Sequence, residues 1–136
     1  MEDDLVQQLT AAATEIASHA YAPYSGFRVG AALLLESGKI VTGANVENAS
    51  YGLALCAERA AMVRAVAEHG AHIRVAAIAI TNLNGQPSPP CGACRQVLSE
   101  FVTPEAWVVF RAENGWEKRP FSAIFPFQFA LRGANK

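Results

Sequence analysis

The chain reads as one α/β domain over residues 1–136, a three-layer α/β/α sandwich on a mixed five-stranded sheet. Three observations predict this. Val75 to Ile80 is a near-continuous apolar run, as expected of a central strand covered on both faces. Phe27 to Leu35 and Lys39 to Asn45 read as strands joined at Ser37-Gly38, and so short a connection implies antiparallel pairing. Segments of helical period alternate with these strands, the order that builds layered α/β folds.

Taken in order, Asp4 to Tyr21 is predicted to be an amphipathic helix, because Leu5, Leu9, Ala13, Ile16 and Ala20 recur at helical spacing. Asp3 or Asp4 is placed to cap it. Ala22-Pro23-Tyr24-Ser25-Gly26 breaks it before the strand pair, and Val46 to Leu55, rich in Asn, Ser and Gly, reads as a loop. A second helix is expected from Cys56 to His69, ended by Gly70. Its apolar residues, Ala60, Ala61, Val63 and Val66, fall most of the way round, which predicts burial on nearly all sides. Beyond the central strand, a loop carrying Pro87, Pro89 and Pro90 leads into a third helix from Cys91 to about Val102. Trp107 to Arg111 is predicted as a strand, and Glu113-Asn114-Gly115 turns the chain into an edge strand, Trp116 to Pro120. Phe121 to Lys136 reads as a short helix interrupted by Pro126, with a polar end from Arg132 that frays.

Charged residues make up 17% of the chain and apolar residues 51%, against about 25% charged in ordinary globular proteins. A domain this small has much surface to cover, so the apolar excess implies that another subunit covers part of it. A net charge of −1 without a basic run excludes a polyanionic partner, whose phosphates call for Lys and Arg. No stretch approaches a membrane span, and the acidic Met1-Glu2-Asp3-Asp4 start is unlike a signal peptide. An odd number of cysteines fits a reducing compartment, so the expectation is a cytoplasmic protein.

All three cysteines fall in two clusters, Cys56-Ala57-Glu58 and Pro90-Cys91-Gly92-Ala93-Cys94. Three thiolates hold a zinc ion and leave its fourth tetrahedral position open, the arrangement of a catalytic site. Both clusters stand at predicted helix starts, where the helix dipole and free N–H groups favour thiolate over thiol. Glu58, two residues from the first ligand, supplies a base for the water that takes the open position. Three thiolates on one Zn²⁺ still sum to −1, so Arg59 is expected to offset that charge by hydrogen bonding to ligand sulfur.

Other readings of these residues compete. Cys-x-x-Cys is also a redox signature, although here two prolines precede it and no Trp-Cys context is present. A closed structural zinc site would need a fourth ligand. His69 lies 13 positions beyond Cys56, about 20 Å along one helix, and His72 is no better placed. His19 is open on spacing, but reads more simply as an exposed residue at the end of the first helix.

The joint pattern resembles the zinc-dependent nucleobase deaminases in their all-cysteine form. Over about Tyr21 to Phe101 the chain is similar to the small, homotetrameric cytidine deaminases. The resemblance includes Ala22-Pro23-Tyr24-Ser25, the run from Phe27 to Leu33, Gly43 to Gly52 and Pro90 to Gln96. Asn45-Val46-Glu47-Asn48 is the part that points to nucleosides. The resemblance implies one Zn²⁺ per subunit on Cys56, Cys91 and Cys94, with Glu58 moving protons and holding the ring N3 and amino group. It implies that Phe27 packs on the pyrimidine, that Asn45 and Glu47 hydrogen-bond the ribose 3′-hydroxyl, and that the Ala57 N–H helps to read the base. Ala49 and Tyr51 are implied at the sugar end, contributed to a neighbouring subunit. Aligned on Pro126, Phe129 matches a phenylalanine that caps a neighbour's pocket. Phe127 replaces a small residue there, so either ring could fill the role.

The reaction implied is hydrolytic deamination of cytidine and deoxycytidine to uridine and deoxyuridine with loss of ammonia, a step of pyrimidine salvage. Two alternatives stay open: a nucleoside-antibiotic deaminase of the blasticidin type, expected to lack the Asn45–Asn48 motif, and a non-enzymatic zinc or thiol interaction domain.

Overall fold

A computed structural model describes residues 2–131. Its element order is α1 (Glu2–Ala17), β1 (Val29–Leu35), β2 (Ile40–Ala44), a 3-10 turn (Tyr51–Leu53), α2 (Ala57–His69), β3 (Val75–Asn82), α3 (Gly92–Ser99), β4 (Val102–Ala112), β5 (Gly115–Pro120) and α4 (Phe121–Ile124). The five strands form one sheet in the order β2-β1-β3-β4-β5. Only β3 and β4 run parallel; the other neighbours are antiparallel. The mixed sheet predicted from the sequence is therefore present, with the Val75 run at its centre and Gly115–Pro120 at one edge.

Two cores line the two faces. Leu9 and Ala13 of α1 pack on Ala32, Ala77, Ala79 and Val109. On the opposite face, Ala57, Ala61, Met62 and Ala65 of α2, Leu98 of α3 and Phe121 of α4 pack on Ala31, Leu33, Ile78 and Val108. Alternate residues of each strand serve opposite layers, as the pleat requires. Two glycines admit the helices. A Cβ on Gly30 would stand 1.9 Å from the Ala13 carbonyl oxygen of α1, and one on Gly43 2.3 Å from the Ala61 nitrogen of α2.

Several boundaries differ from expectation. The first helix stops at Ala17 rather than Tyr21, because Ser18, His19 and Ala20 donate three residues back, to Glu15, Ile16 and Ala17, and tighten the turn. Tyr21 instead bridges Val46. Helix α2 buries one face: Val63 is 56% exposed, so its apolar outer side has no cover among the described residues. The third helix ends at Ser99, and β4 begins at Val102 because Val102 pairs with Val75 across a register shift. Pro104, which cannot donate to a ladder, lies in that irregular stretch. The last helix has four residues; the expected fraying end from Arg132 lies outside the described residues.

Candidate active site

The loops ahead of α2 and α3 bring the two cysteine clusters together. Cys56 is the N-cap of α2 and Cys91 that of α3, both with extended backbone. Cys94 sits in the first turn of α3, where its N–H donates to Cys91 Sγ at 3.4 Å. Thirty-five residues apart in sequence, Cys56 and Cys91 have their sulfurs 3.9 Å apart. Cys91 and Cys94 are at 3.0 Å, and all three sulfurs lie within 4.8 Å of one another. None is in a disulfide. Sulfurs sharing a tetrahedral zinc at ~2.3 Å stand about 3.8 Å apart, so the donor set and its spread fit that ion.

The charge distribution fits it too. Cys56 is pulled down to about 5, first by its hydrogen bond with Cys94 and then, against burial, by Arg59. Cys94 is pushed up by the same bond and by burial, so of the two Cys56 is the one whose surroundings favour the thiolate. Arg59 Nη2 donates to Cys56 Sγ at 3.4 Å. Its Nε is buried without a partner among the described residues; the guanidinium thus has a spare donor beside a sulfur cluster that carries negative charge.

Glu58 is 5% exposed. Burial raises its pKa, and the neighbouring Cys56 charge raises it further. A carboxyl held above its usual range beside a metal site is suited to taking up and returning a proton.

A cavity of about 350 Å³ opens on this centre. Cys56, Ala57, Glu58 and Cys91 line it, as do Phe27, Asn45 and Glu47. Asn45 and Glu47 do more than face the cavity. Asn45 accepts from the Val29 N–H at 2.8 Å and donates to the Phe27 carbonyl at 2.9 Å. Glu47 accepts from the N–H groups of Tyr24 and Ser25 and from the Ser25 hydroxyl. Ala49, Tyr51 and Phe129 are not among the residues lining the cavity. Tyr51 is 96% exposed and Phe129 67%.

Some of the lining is not singled out by the sequence. Ala54 and Leu55 come from the loop before Cys56, Val29 and Ile80 from the central strands, and Pro87, Ser88 and Pro89 from the loop before Cys91. The proline cluster immediately ahead of a ligand is the one signal that could have marked a rigid wall. Arg95 also escapes notice. It donates to the Pro90 carbonyl at 2.8 Å and to the Ile124 carbonyl at 2.7 Å, tying α4 to the residue before Cys91.

An α/β sandwich presenting three thiols at two helix starts, with a buried carboxyl beside them, defines the deaminase class of zinc folds. Residues 3–110 match the family model for the cytidine and deoxycytidylate deaminase zinc-binding region. The chain belongs to that family. It is 51% identical over 130 residues to the cytidine deaminase of Halalkalibacterium halodurans, covering 95% of this chain and 97% of that one. Among solved structures, cytidine deaminase from Mycobacterium tuberculosis superposes with a TM-score of 0.79 at 41% identity, covering 92% and 97% of the two chains. Cytidine deaminase from Burkholderia pseudomallei gives 0.79 at 42%, covering 90% and 98%.

Proposed function

We propose that the protein catalyses zinc-dependent hydrolytic deamination of cytidine and deoxycytidine, giving uridine or deoxyuridine and ammonia. The observation that carries this reading is the shared cavity: Cys56 and Cys91 of the three-sulfur cluster line it together with Glu58, Phe27, Asn45 and Glu47. That combination disfavours a polynucleotide or a bare interaction domain, because the cavity is the size of a small ligand site.

Zinc held by Cys56, Cys91 and Cys94 would supply Lewis-acid activation of water at its open position. Glu58 accepts the proton that water gives up as its oxygen adds to C4, and delivers it to N3. It then takes the remaining hydroxyl proton from the tetrahedral carbon and passes it to the amino group. The C4–N bond breaks, C4 becomes a carbonyl and ammonia departs. Burial keeps Glu58 ready for both transfers, since a strongly acidic carboxyl would not hold the proton between them. The Phe27 ring offers a π-face to the pyrimidine, and the Ala57 N–H helps to read the base edge. Arg59 steadies the negative charge on the ligand sulfur.

The bonding capacity left at the sugar end is definite. A carboxylate offers about four acceptor sites, and Glu47 uses three. Asn45 has used one of its two N–H donors. A ribose hydroxyl can therefore accept from Asn45 Nδ2 and donate to Glu47.

The exposed Tyr51, Phe127 and Phe129 support a homotetramer in which Ala49, Tyr51 and one of the two phenylalanines complete a neighbour's cavity. Mixing inactive Glu58→Gln with inactive Tyr51→Ala subunits would then restore activity, and sedimentation would report four chains.

Loss of the near-ultraviolet absorbance of cytosine on incubation with cytidine, abolished by a chelator and restored by Zn²⁺, tests the main reading. A zinc-replete protein inert toward every cytosine nucleoside would refute it.

A further inference from the structure

The cavity wall at the sugar end is held by a hydroxyl that does not itself line the cavity. Ser25 Oγ donates to Glu47 Oε2 and accepts from the Phe27 N–H at 3.0 Å. Its own N–H and that of Tyr24 donate to Glu47 Oε1 at 3.2 and 3.0 Å. At the other end of Phe27, the carbonyl accepts from Asn45 Nδ2 at 2.9 Å. One chain of hydrogen bonds thus runs Glu47–Ser25–Phe27–Asn45, and among the described residues the Ser25 hydroxyl is the group that links the carboxylate to the Phe27 amide.

We propose that Ser25 is a positioning residue for the nucleoside, locking the Glu47 carboxylate and the Phe27 backbone in one frame so that sugar and base are met in register. The role rests on the reading of Glu47 as a sugar contact. With the hydroxyl in place, Oε2 has one acceptor site left and one orientation in which to use it. Without it, Oε2 has two open sites, the carboxylate is held through Oε1 alone, and the Phe27 amide loses its partner. The hydroxyl's single proton and one of its lone pairs are both committed, so water cannot substitute without giving up the covalent tether to the turn. The effect falls on binding of the sugar hydroxyl. Proton transfer at Glu58, which takes no part in this chain of hydrogen bonds, is left alone.

The test compares kcat and KM of the parent enzyme, Ser25→Ala, Ser25→Thr and Glu47→Gln on cytidine and on 2′,3′-dideoxycytidine, with zinc content measured for each. Ser25 is exposed in a turn, so its variants fold. Ser25→Ala is expected to lose about tenfold in kcat/KM on cytidine, mostly through KM, as for one hydrogen bond to a charged group. It should lose little on the dideoxynucleoside and keep its zinc. Ser25→Thr, which retains the hydroxyl, should recover most of the loss. An equal loss on both substrates, or none, while Glu47→Gln still separates them, overturns the role of Ser25 alone. Failure of Glu47→Gln to separate them removes the sugar reading and the Ser25 role with it.

Discussion

Gly43 of β2 lies against the backbone of Ala61 in α2, so closely that a Cβ on it would come within 2.3 Å of the Ala61 nitrogen and 2.9 Å of the Ala57 oxygen. The obstacle is backbone and cannot rotate away. Helix α2 carries Cys56 at its start and Glu58 in its first turn, so this one contact sets how near the chemistry lies to the sheet. Gly43→Ala is expected to cost about 1–3 kcal/mol of stability through overpacking and to weaken zinc retention and turnover as α2 is pushed outward. Gly30→Ala collides with α1 on the other face, which bears none of the site. It should lower the denaturation midpoint while leaving the zinc affinity of the folded fraction unchanged. Urea titration with chelator competition on both variants separates the two effects.

Arg95 connects Pro90 to Ile124 through two carbonyls, and Pro90 immediately precedes the ligand Cys91. Removing the guanidinium frees the N-terminal start of α3 from the C-terminal segment. Arg95→Lys has one point charge where two differently directed N–H donors are needed, so it should not restore the arrangement. Both Arg95→Ala and Arg95→Lys are expected to release zinc to a chelator more readily, by up to about tenfold, the low end of the range for direct partners of a metal ligand because Arg95 holds the residue before Cys91 and not the sulfur itself. Unchanged release from either variant would show that the start of α3 is held without Arg95.

What the sequence discloses follows the range of the forces involved. Cys56, Cys91 and Cys94 are legible as a candidate ligand set because spacing and helix starts are local, and Cys56 and Cys91 do stand at the helix starts, with Glu58 in the first turn of α2. The strand pair and the buried run at Val75 are legible for the same reason. Asn45 and Glu47 are recognisable as a polar pair, but not as clamps, because their partners Val29 and Tyr24 lie 16 and 23 residues away. The early start of β4 depends on parallel pairing with Val75 across a bulge, which leaves no local mark. Composition overstates the burial of α2, since an apolar residue such as Val63 does not say which layer, if any, will cover it.

Phe127 has φ +54, and its side chain is fully exposed. Left-handed backbone costs a residue with a Cβ about 1–2 kcal/mol, and no contact among the described residues is seen to hold the ring there. Phe127→Gly and Phe127→Ala remove the same aromatic side chain but answer differently to the backbone. Glycine accepts this φ, whereas alanine keeps the strain. Phe127→Gly should therefore be at least as stable as Phe127→Ala, by up to about 1 kcal/mol, in thermal unfolding. The reverse order, normal for an unstrained loop, would show that the segment relaxes.

The Glu47 carboxyl is held below its ordinary value, chiefly because the Ser25 hydroxyl donates to it, with help from the Ser25 and Tyr24 N–H groups and against some desolvation. Its folded pKa is thus lower than its unfolded one. For a carboxylate of that kind the stabilisation is complete above the unfolded pKa, about 4.3, and disappears as pH falls through the lower folded value. Denaturation midpoints of the parent protein and of Glu47→Gln, measured across pH, should be separated by a constant gap from neutrality down to about pH 5. The gap should narrow only in the acid range beneath the ordinary carboxylate pKa. Ser25→Ala should move that narrowing to higher pH, because the donor that lowers the pKa is gone. A gap that closes nearer neutrality in the parent protein would mean that the carboxylate is not held by these donors in solution.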